Sequence, residues 1–250
     1  MKFFLPYPFR PHLPSLIYFP GMDGTGKLFY RQFPDLAPFF NIYCLKLSTT
    51  IVNSWASLTQ QFLTLTHKSL KDTQSLFFCG ESFGACLALE VALKTALPLQ
   101  QLVLVNPASS FARYPLLTWG ANFTQWIPES LHPTTTLGFL PFLASLNRIE
   151  HGDRRQLLGA MRSVSPQIIH NRLNLLQQFE IAPRQKLSLT VPTLILASGQ
   201  DRLLPSLEEG QRLRSLFPQT NLHILPDSGH ACLLEKTLNL KQIFQYQGLL

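Results

Sequence analysis

The chain has 250 residues, of which 46% are hydrophobic and 14% are charged, and its formal net charge is +7. This composition excludes an intrinsically disordered chain and allows one large core. The positive charge favours anionic partners, namely a phospholipid surface or an acidic acyl carrier protein, or it serves solubility alone. Because the basic residues are scattered and form no recognisable nucleic-acid module, we expect no nucleic-acid partner.

The elements of the first half alternate between short apolar runs and helical patterns, which predicts a parallel sheet flanked by helices. The predicted strands cover 15–19, 41–47, 75–79 and 101–105. The predicted helices cover 54–71, behind an Asn53 cap, and 84–96.

A different pattern runs through residues 108–183, which contain no strong strand and many aromatic residues. A helix begins there at Ser165-Pro166, with Ile169, Leu173 and Leu176 on its apolar face. The alternation then resumes, with strands at 192–197 and 221–225 and helices at 205–217 and 233–246. We therefore predict an α/β core from residues 1–107 and 184–250, with a helical cap inserted at 108–183.

Cysteine usage and the N-terminal stretch bear on the compartment. Four cysteines form no CxxC pair and are expected to be buried free thiols in a reducing compartment: Cys44, Cys79, Cys86 and Cys232. The opening MKFFLPYPFRPHLP is broken by prolines, unlike a signal peptide, and no apolar run is long enough to span a membrane. We expect a cytoplasmic protein and leave peripheral attachment to a membrane open.

The strongest motif is GESFG at 80–84, which follows an apolar strand and opens a helix. This is the G-x-S-x-G pattern in its required context, where a sharp turn exposes the serine oxygen and the glycines allow close backbone approach. The alternative is a coincidental surface turn. The motif predicts Ser82 as a nucleophile.

A serine hydroxyl needs an adjacent base. In proteins that carry G-x-S-x-G at a strand-to-helix turn, the catalytic residues follow the chain order serine, acid, histidine. His230 follows the final predicted strand, where the base belongs. The alternative is that His230 is a solvated loop histidine with no catalytic role. Asp201 follows the penultimate strand and would orient the imidazole. Asp227 competes for that role, although its closeness to His230 in one loop favours a turn function.

The oxyanion of a tetrahedral intermediate needs backbone donors in place. We expect them from Phe83, directly after the nucleophile, and from Met22 in the glycine-rich loop FPGMDGTG at 19–26. A phosphate-binding loop is the alternative, but Leu28 stands where that motif requires serine or threonine after Gly26-Lys27. No metal or organic cofactor is called for. Further candidates for contact with substrate are Asp23, which has a turn role as its alternative, and the aromatic residues Phe111, Trp119 and Trp126.

With these motifs assembled, the chain resembles the α/β-hydrolase part of the plastid and cyanobacterial esterase/lipase/thioesterase family, which includes the phytyl ester synthases. The matching stretches are PGMDGTG at 20–26, GESFGACLALE at 80–90, VNPASSF at 105–111, SGQDRLLPS at 198–206 and SGHACLLE at 228–235. The resemblance implies the α/β-hydrolase fold and an enzyme that moves or hydrolyses lipid acyl groups. Plant members carry an additional acyltransferase-like region and this chain ends at Leu250 without it, so hydrolysis is expected at least as much as synthesis.

Two other functions remain open. One is a small carboxylesterase acting on a carrier-bound ester such as a pimeloyl-carrier methyl ester. The other is a non-catalytic ligand-binding protein of the same fold, which usually lacks a member of the triad. For the enzyme, we expect an acyl-Ser82 intermediate on a lipid acyl ester or thioester.

Overall fold

A computed structural model describes residues 1–70, 75–115, 138, 140–181 and 189–250. Seven strands form one sheet in the order β1-β3-β2-β4-β5-β6-β7. β1 runs antiparallel to β3, and the other neighbours are parallel. The predicted α/β-hydrolase architecture, a mostly parallel sheet flanked by helices, is confirmed.

The strands are β1 (Lys2–Phe4), β2 (Ser15–Phe19), β3 (Asn41–Lys46), β4 (Leu76–Glu81), β5 (Leu99–Val105), β6 (Thr193–Ser198) and β7 (Thr220–Leu225). The α-helices of the described residues include α1 (Phe33–Leu36), α2 (Trp55–Ser69), α3 (Phe83–Lys94), α4 (His151–Arg162), α5 (Pro166–Gln177), α6 (Ser206–Leu216) and α7 (Leu240–Tyr246).

The sheet is buried on both faces. Along β2, Ile17 and Phe19 join one apolar cluster with α2, α3 and α6, whereas Leu16 and Tyr18 join a second cluster with α1 and α7. Successive side chains of a strand point to opposite faces, so a strand covered on both sides reads as a continuous apolar run. This explains why SLIYF was recognisable as a strand but gave no clue to which face each residue covers.

The parallel arrangement brings the carboxyl ends of several strands to one edge of the sheet. The strands concerned are β2, β4, β5, β6 and β7. β4 lies in the middle of these, between β2 and β5. Loops that follow different strands therefore meet there, as ligand sites do in open α/β sheets.

Several element boundaries differ from those expected. Ser54, not Asn53, caps α2, because its hydroxyl accepts the Ser57 N–H at 3.1 Å. The expected final helix is two pieces, a 3₁₀ turn at Cys232–Leu234 and then α7, which Asn239 caps. The β1 strand was not predicted, because three residues are too short to show a periodicity.

The predicted cap segment, residues 108–183, contributes α4 and α5. Ser165 caps α5 as expected and Pro166 occupies its first turn. The expected apolar face is confirmed in part: Leu176 is buried and Leu173 packs against the core as a partly buried residue. Ile169 is only partly buried, and Ile168, Arg172 and Leu175 are buried as well. Trp119 and Trp126 lie outside the described residues, and the boundaries of core and cap stay a prediction.

All four cysteines are free thiols buried in the sheet and its flanking elements. Burial raises the pKa of each thiol above its ordinary value. In the described part of the chain, no helix is long and apolar enough to cross a membrane.

Replacing Phe62 of α2 tests the aromatic packing between α2 and the sheet. It is fully buried, and its ring centroid lies 4.9 Å from that of Phe19 and 5.7 Å from that of Phe78. Phe62→Ala removes these contacts and leaves a cavity, so we expect a loss of about 3–5 kcal/mol in the free energy of unfolding. Chemical denaturation measures it, with the exposed Gln60→Ala on the same helix as control. A loss no larger than that of the control would contradict this packing.

Candidate active site

Ser82 sits at a sharp turn between β4 and α3. Its φ of 54° places a non-glycine residue in the left-handed region, which costs about 1–3 kcal/mol and persists only where the surroundings enforce it. A Cβ on Gly80 would lie 2.6 Å from the Gly84 carbonyl oxygen, and a Cβ on Gly84 would overlap the Phe19 carbonyl. The two motif glycines are therefore required by close backbone approach.

A hydrogen-bonded chain links the three residues named from the sequence. The His230 Nε2 atom lies 2.9 Å from Ser82 Oγ, and His230 Nδ1 lies 2.7 Å from Asp201 Oδ2. Asp227, the competing acid, is exposed in the same loop as His230. The structure brings together Ser82, Asp201 and His230 from the ends of β4, β6 and β7; their catalytic roles stay a prediction.

Asp201 is held in place by several donors. Its Oδ1 accepts the backbone N–H groups of Leu203 and Leu204 at 2.9 and 3.0 Å, and its Oδ2 accepts the Ser206 hydroxyl at 2.5 Å. Burial would raise the pKa of Asp201, but the charge and hydrogen bond of His230, with these donors, lower it below its ordinary value. Asp201 is therefore a carboxylate at neutral pH.

The imidazole is buried, with 4% of His230 exposed. Burial alone would lower the pKa of His230, but the charge and hydrogen bond of Asp201, together with the charge of Glu81, outweigh it and raise the pKa. A raised pKa means a stronger base once the ring is neutral. The arrangement can take a proton from Ser82 Oγ and stabilise the imidazolium that results.

The glycine-rich loop after β2 lies directly against Ser82. A Cβ on Gly21 would lie 3.7 Å from the Ser82 Cβ. The Gly24 N–H donates to the Gly21 carbonyl at 3.0 Å, so residues 21–24 form a tight turn with Met22 and Asp23 at its corners. Gly21, directly before Met22, therefore lies beside Ser82, while the donor roles of Met22 and Phe83 stay a prediction.

The other candidate contacts have structural partners. The Asp23 carboxylate accepts the Thr25 N–H at 2.8 Å and the Thr25 hydroxyl, which fits the turn role. Phe111 is buried in the core cluster on the α3 face of the sheet. Contact of Asp23 and Phe111 with substrate is untested by these facts, and Trp119 and Trp126 fall outside the described residues.

Asn106, which the sequence arguments did not single out, joins three loops. Its Nδ2 donates to the His230 carbonyl at 2.8 Å and to Ser198 Oγ at 2.9 Å, and its Oδ1 accepts the Ser198 N–H at 2.8 Å. It is fully buried, with a φ of 44°. The signal was present: asparagine tolerates this conformation better than most residues, and it directly follows the apolar strand β5.

A second support residue is Glu235, whose carboxylate is fully buried. It accepts the Gly229 N–H at 2.8 Å, the Ser228 hydroxyl at 2.9 Å and Arg148 Nε at 2.6 Å. These bonds fix the loop that carries His230. Nothing in the sequence distinguished Glu235 from a surface glutamate, because its partners are distant or lie in a loop of irregular conformation.

Glu81, the residue before Ser82, is the third residue that the sequence analysis did not single out. The Tyr18 hydroxyl donates to Glu81 Oε2 at 2.6 Å within the buried sheet edge. Burial raises the pKa of Glu81 to about 7, although the Tyr18 hydrogen bond and the charge of His230 oppose the rise. Glu81 is thus a titratable group in electrostatic contact with His230.

Among the described residues, no group of three histidine, cysteine or acidic side chains is arranged to hold a metal ion. The mostly parallel sheet, the strained serine after its central strand, and the histidine and aspartate at the same edge define a protein of the α/β-hydrolase fold. The chain belongs to the family described as serine aminopeptidase, S33, whose model matches residues 48–237.

The chain is also similar in sequence to three curated proteins. Phytyl ester synthase 1 of Arabidopsis thaliana, a chloroplastic protein, is 29% identical over 94% of this chain, and phytyl ester synthase 2 is 27% identical over 93%. This chain spans 37% of the length of each. A putative carbamate hydrolase, RutD, of Stutzerimonas stutzeri is 25% identical over 94% of this chain and 91% of its own.

Solved structures share the fold over almost the whole chain. A hydrolase from Pseudomonas aeruginosa superposes with a TM-score of 0.83 at 17% identity, over 98% of this chain and 93% of that one. A thermophilic esterase from Thermogutta terrifontis gives 0.81 at 18% identity, over 98% and 92%. Together with the family, these comparisons identify a hydrolase of the α/β-hydrolase fold; the expected resemblance to the phytyl ester synthases is confirmed.

Replacing Glu81 tests its coupling to His230. Glu81→Gln keeps an acceptor for Tyr18 but removes a negative charge, so we expect the pKa of His230 to fall. NMR titration of the imidazole measures it, with the exposed Glu180→Gln as control. An unchanged or higher His230 pKa in Glu81→Gln would contradict the coupling.

Proposed function

We propose that this protein is a serine hydrolase or acyltransferase that acts on acyl esters or thioesters through an acyl-Ser82 intermediate. The observation that carries the proposal is the continuous hydrogen-bonded chain from Ser82 through His230 to Asp201, with donor–acceptor distances of 2.9 and 2.7 Å. Ser82 is the nucleophile, His230 the general base and acid, and Asp201 the group that orients the ring.

In the first half-reaction, His230 Nε2 takes the proton of Ser82 Oγ as this oxygen attacks the carbonyl carbon of the substrate. The oxygen of the resulting tetrahedral adduct is negative. The N–H groups of Phe83 and Met22 bind it, since α3 begins at Phe83 and the 21–24 turn lies against Ser82. Protonated His230 then gives its proton to the leaving alcohol or thiol, and the carbon–oxygen or carbon–sulfur bond breaks.

In the second half-reaction, water or an alcohol loses a proton to His230 and attacks the acyl-serine carbonyl. Breakdown of the second tetrahedral adduct returns the proton to Ser82 Oγ and releases a carboxylic acid or a new ester. Hydrolysis and acyl transfer differ only in which acceptor reaches the site. The Ser82–His230–Asp201 arrangement serves both equally.

A lipid acyl ester is the proposed substrate class. The support is the similarity to phytyl ester synthases 1 and 2 over almost the whole chain, together with the apolar surroundings of the site. Phe83 of α3 stacks on Trp55 at 5.1 Å between ring centroids, and Trp55 meets Phe179 of the cap segment edge-on at 5.1 Å. The three rings are buried and pack the predicted cap segment against α3, which gives the site apolar surroundings. The net charge of +7 suits an anionic membrane surface or an acyl carrier protein as partner.

Ser82→Ala tests the nucleophile. We expect kcat for ester hydrolysis to fall by roughly 10⁶, because no acyl-enzyme can form, with the fold retained. Hydrolysis of p-nitrophenyl esters and labelling by a fluorophosphonate measure it, and the exposed Ser215→Ala is the control. A Ser82→Ala protein that keeps wild-type turnover would refute the assignment, and a wild-type protein that neither hydrolyses esters nor takes the label would favour a ligand-binding protein.

A panel of esters and thioesters of increasing acyl length tests the substrate class. For a lipid substrate, kcat/KM should rise with chain length, by at most about fourfold for each methylene that the pocket buries. Running the panel with phytol or diacylglycerol present separates transfer from hydrolysis by the products formed. The panel includes a carrier-bound methyl ester, and a preference for that substrate would instead support the small carboxylesterase.

A further inference from the structure

Arg172 is a buried cation on the inner face of α5, in the predicted cap segment. Only 5% of the residue is exposed, and it occupies a helical position between Ile168 and Leu175, where the amphipathic pattern calls for an apolar residue. Burial lowers the pKa of Arg172 to about 10, against the opposing effect of the Asp23 charge, so the guanidinium remains protonated at neutral pH. Burying such a group is costly unless it is well paired.

The guanidinium reaches across to the loop beside the nucleophile. Nη1 donates to the Met22 carbonyl at 2.5 Å, and Nη2 donates to the Ser48 carbonyl at 3.3 Å. Gly24 has a φ of 64°, and a Cβ there would lie 2.6 Å from both terminal nitrogens. The 21–24 turn is therefore folded directly around the guanidinium, with the Asp23 charge nearby.

The helix that carries Arg172 is itself docked at two other points. The Trp55 indole N–H donates to the Leu175 carbonyl at 2.7 Å, and the Asn171 side chain accepts the Val52 N–H at 3.2 Å. These bonds join α5 to α2 and to the loop before it, and Leu175 and Leu176 pack in the core, so α5 has uncharged contacts that hold it in place. A buried ion contributes little net stability compared with an apolar residue, so its place on α5 calls for another explanation.

We propose that Arg172 is a positioning residue that orients the Met22 peptide from the cap side, so that docking of α5 and assembly of the oxyanion site occur together. Fixing the direction of the Met22 carbonyl fixes the plane of the 22–23 peptide, and with it the turn that presents the Met22 N–H. Preorganised donors lower the barrier because they need no rearrangement when charge develops. This inference rests on the proposed function of Ser82 and Met22.

The experiment compares Arg172→Ala, Arg172→Lys and a charge-matched control, Arg155→Ala, at an exposed position of α4. Steady-state kinetics with p-nitrophenyl esters gives kcat and KM. Because loss of one oxyanion donor lowers kcat by about 10²–10³, we expect Arg172→Ala to lose at least about tenfold in kcat with KM little changed. Arg172→Lys should recover part of the loss, since it keeps a donor to the Met22 carbonyl without the planar fork.

Two further readouts separate positioning from simple stabilisation. Hydrogen exchange of peptides covering 20–26 should become faster in Arg172→Ala, with α3 and the sheet unchanged. Millimolar guanidinium chloride should restore part of the kcat of Arg172→Ala and leave the control unaffected. A structural role alone would lower the thermal midpoint without producing this rescue.

The outcomes are distinguishable from failure of the proposed function. If wild type shows Ser82-dependent turnover and Arg172→Ala keeps kcat within about twofold, or loses it with no change in exchange of the 20–26 loop, the positioning role is wrong and the enzyme assignment stands. If wild-type turnover does not depend on Ser82, the proposed function fails, and the role of Arg172 fails with it. Lower kcat, faster loop exchange and guanidinium rescue together support both.

Discussion

The backbone of Ser82 is the constraint on which the rest of the site depends. A φ of 54° directs the hydroxyl out of the sheet edge, and the surroundings maintain it: the Ser82 N–H donates to the Val105 carbonyl at 2.9 Å, and the Ser82 carbonyl accepts the Ala85 and Ala108 N–H groups at 3.1 and 3.3 Å. Because β4 lies between β2 and β5, this turn has a neighbouring strand on each side. The strain is local, and the seven-stranded sheet supplies the stability that sustains it.

Around that turn, buried polar side chains hold the loop that carries His230 in one conformation through their hydrogen bonds. Asn106 joins the ends of β5 and β6 to the His230 loop, and Glu235 holds the same loop through Gly229 and Ser228. Buried polar groups of this kind are costly when unpaired, so their complete hydrogen bonding specifies one arrangement of the loop. His230 is thereby held within reach of Ser82 by residues that are themselves fully buried.

The sequence predicted the parts of this molecule that follow from local patterns. Apolar runs and the GESFG motif were sufficient for the sheet, for the strand-to-helix turn and for the proximity of Ser82, Asp201 and His230, because parallel strands end at one edge. Glu81, Glu235 and Arg172 escaped notice because a charged residue is usually exposed, and only tertiary contacts reveal that these three are buried. For the same reason, the buried face of α5 includes one residue that the apolar pattern did not predict, the charged Arg172.

The four thiols described above have a practical meaning. Thiolates are the reactive form of cysteine, and burial disfavours that form at Cys44, Cys79, Cys86 and Cys232 while also screening them from reagents. In the folded protein, alkylating agents therefore have access to none of them. Modification under native conditions therefore reports transient opening of the sheet and its flanking elements, and the four thiols are internal reporters of that opening.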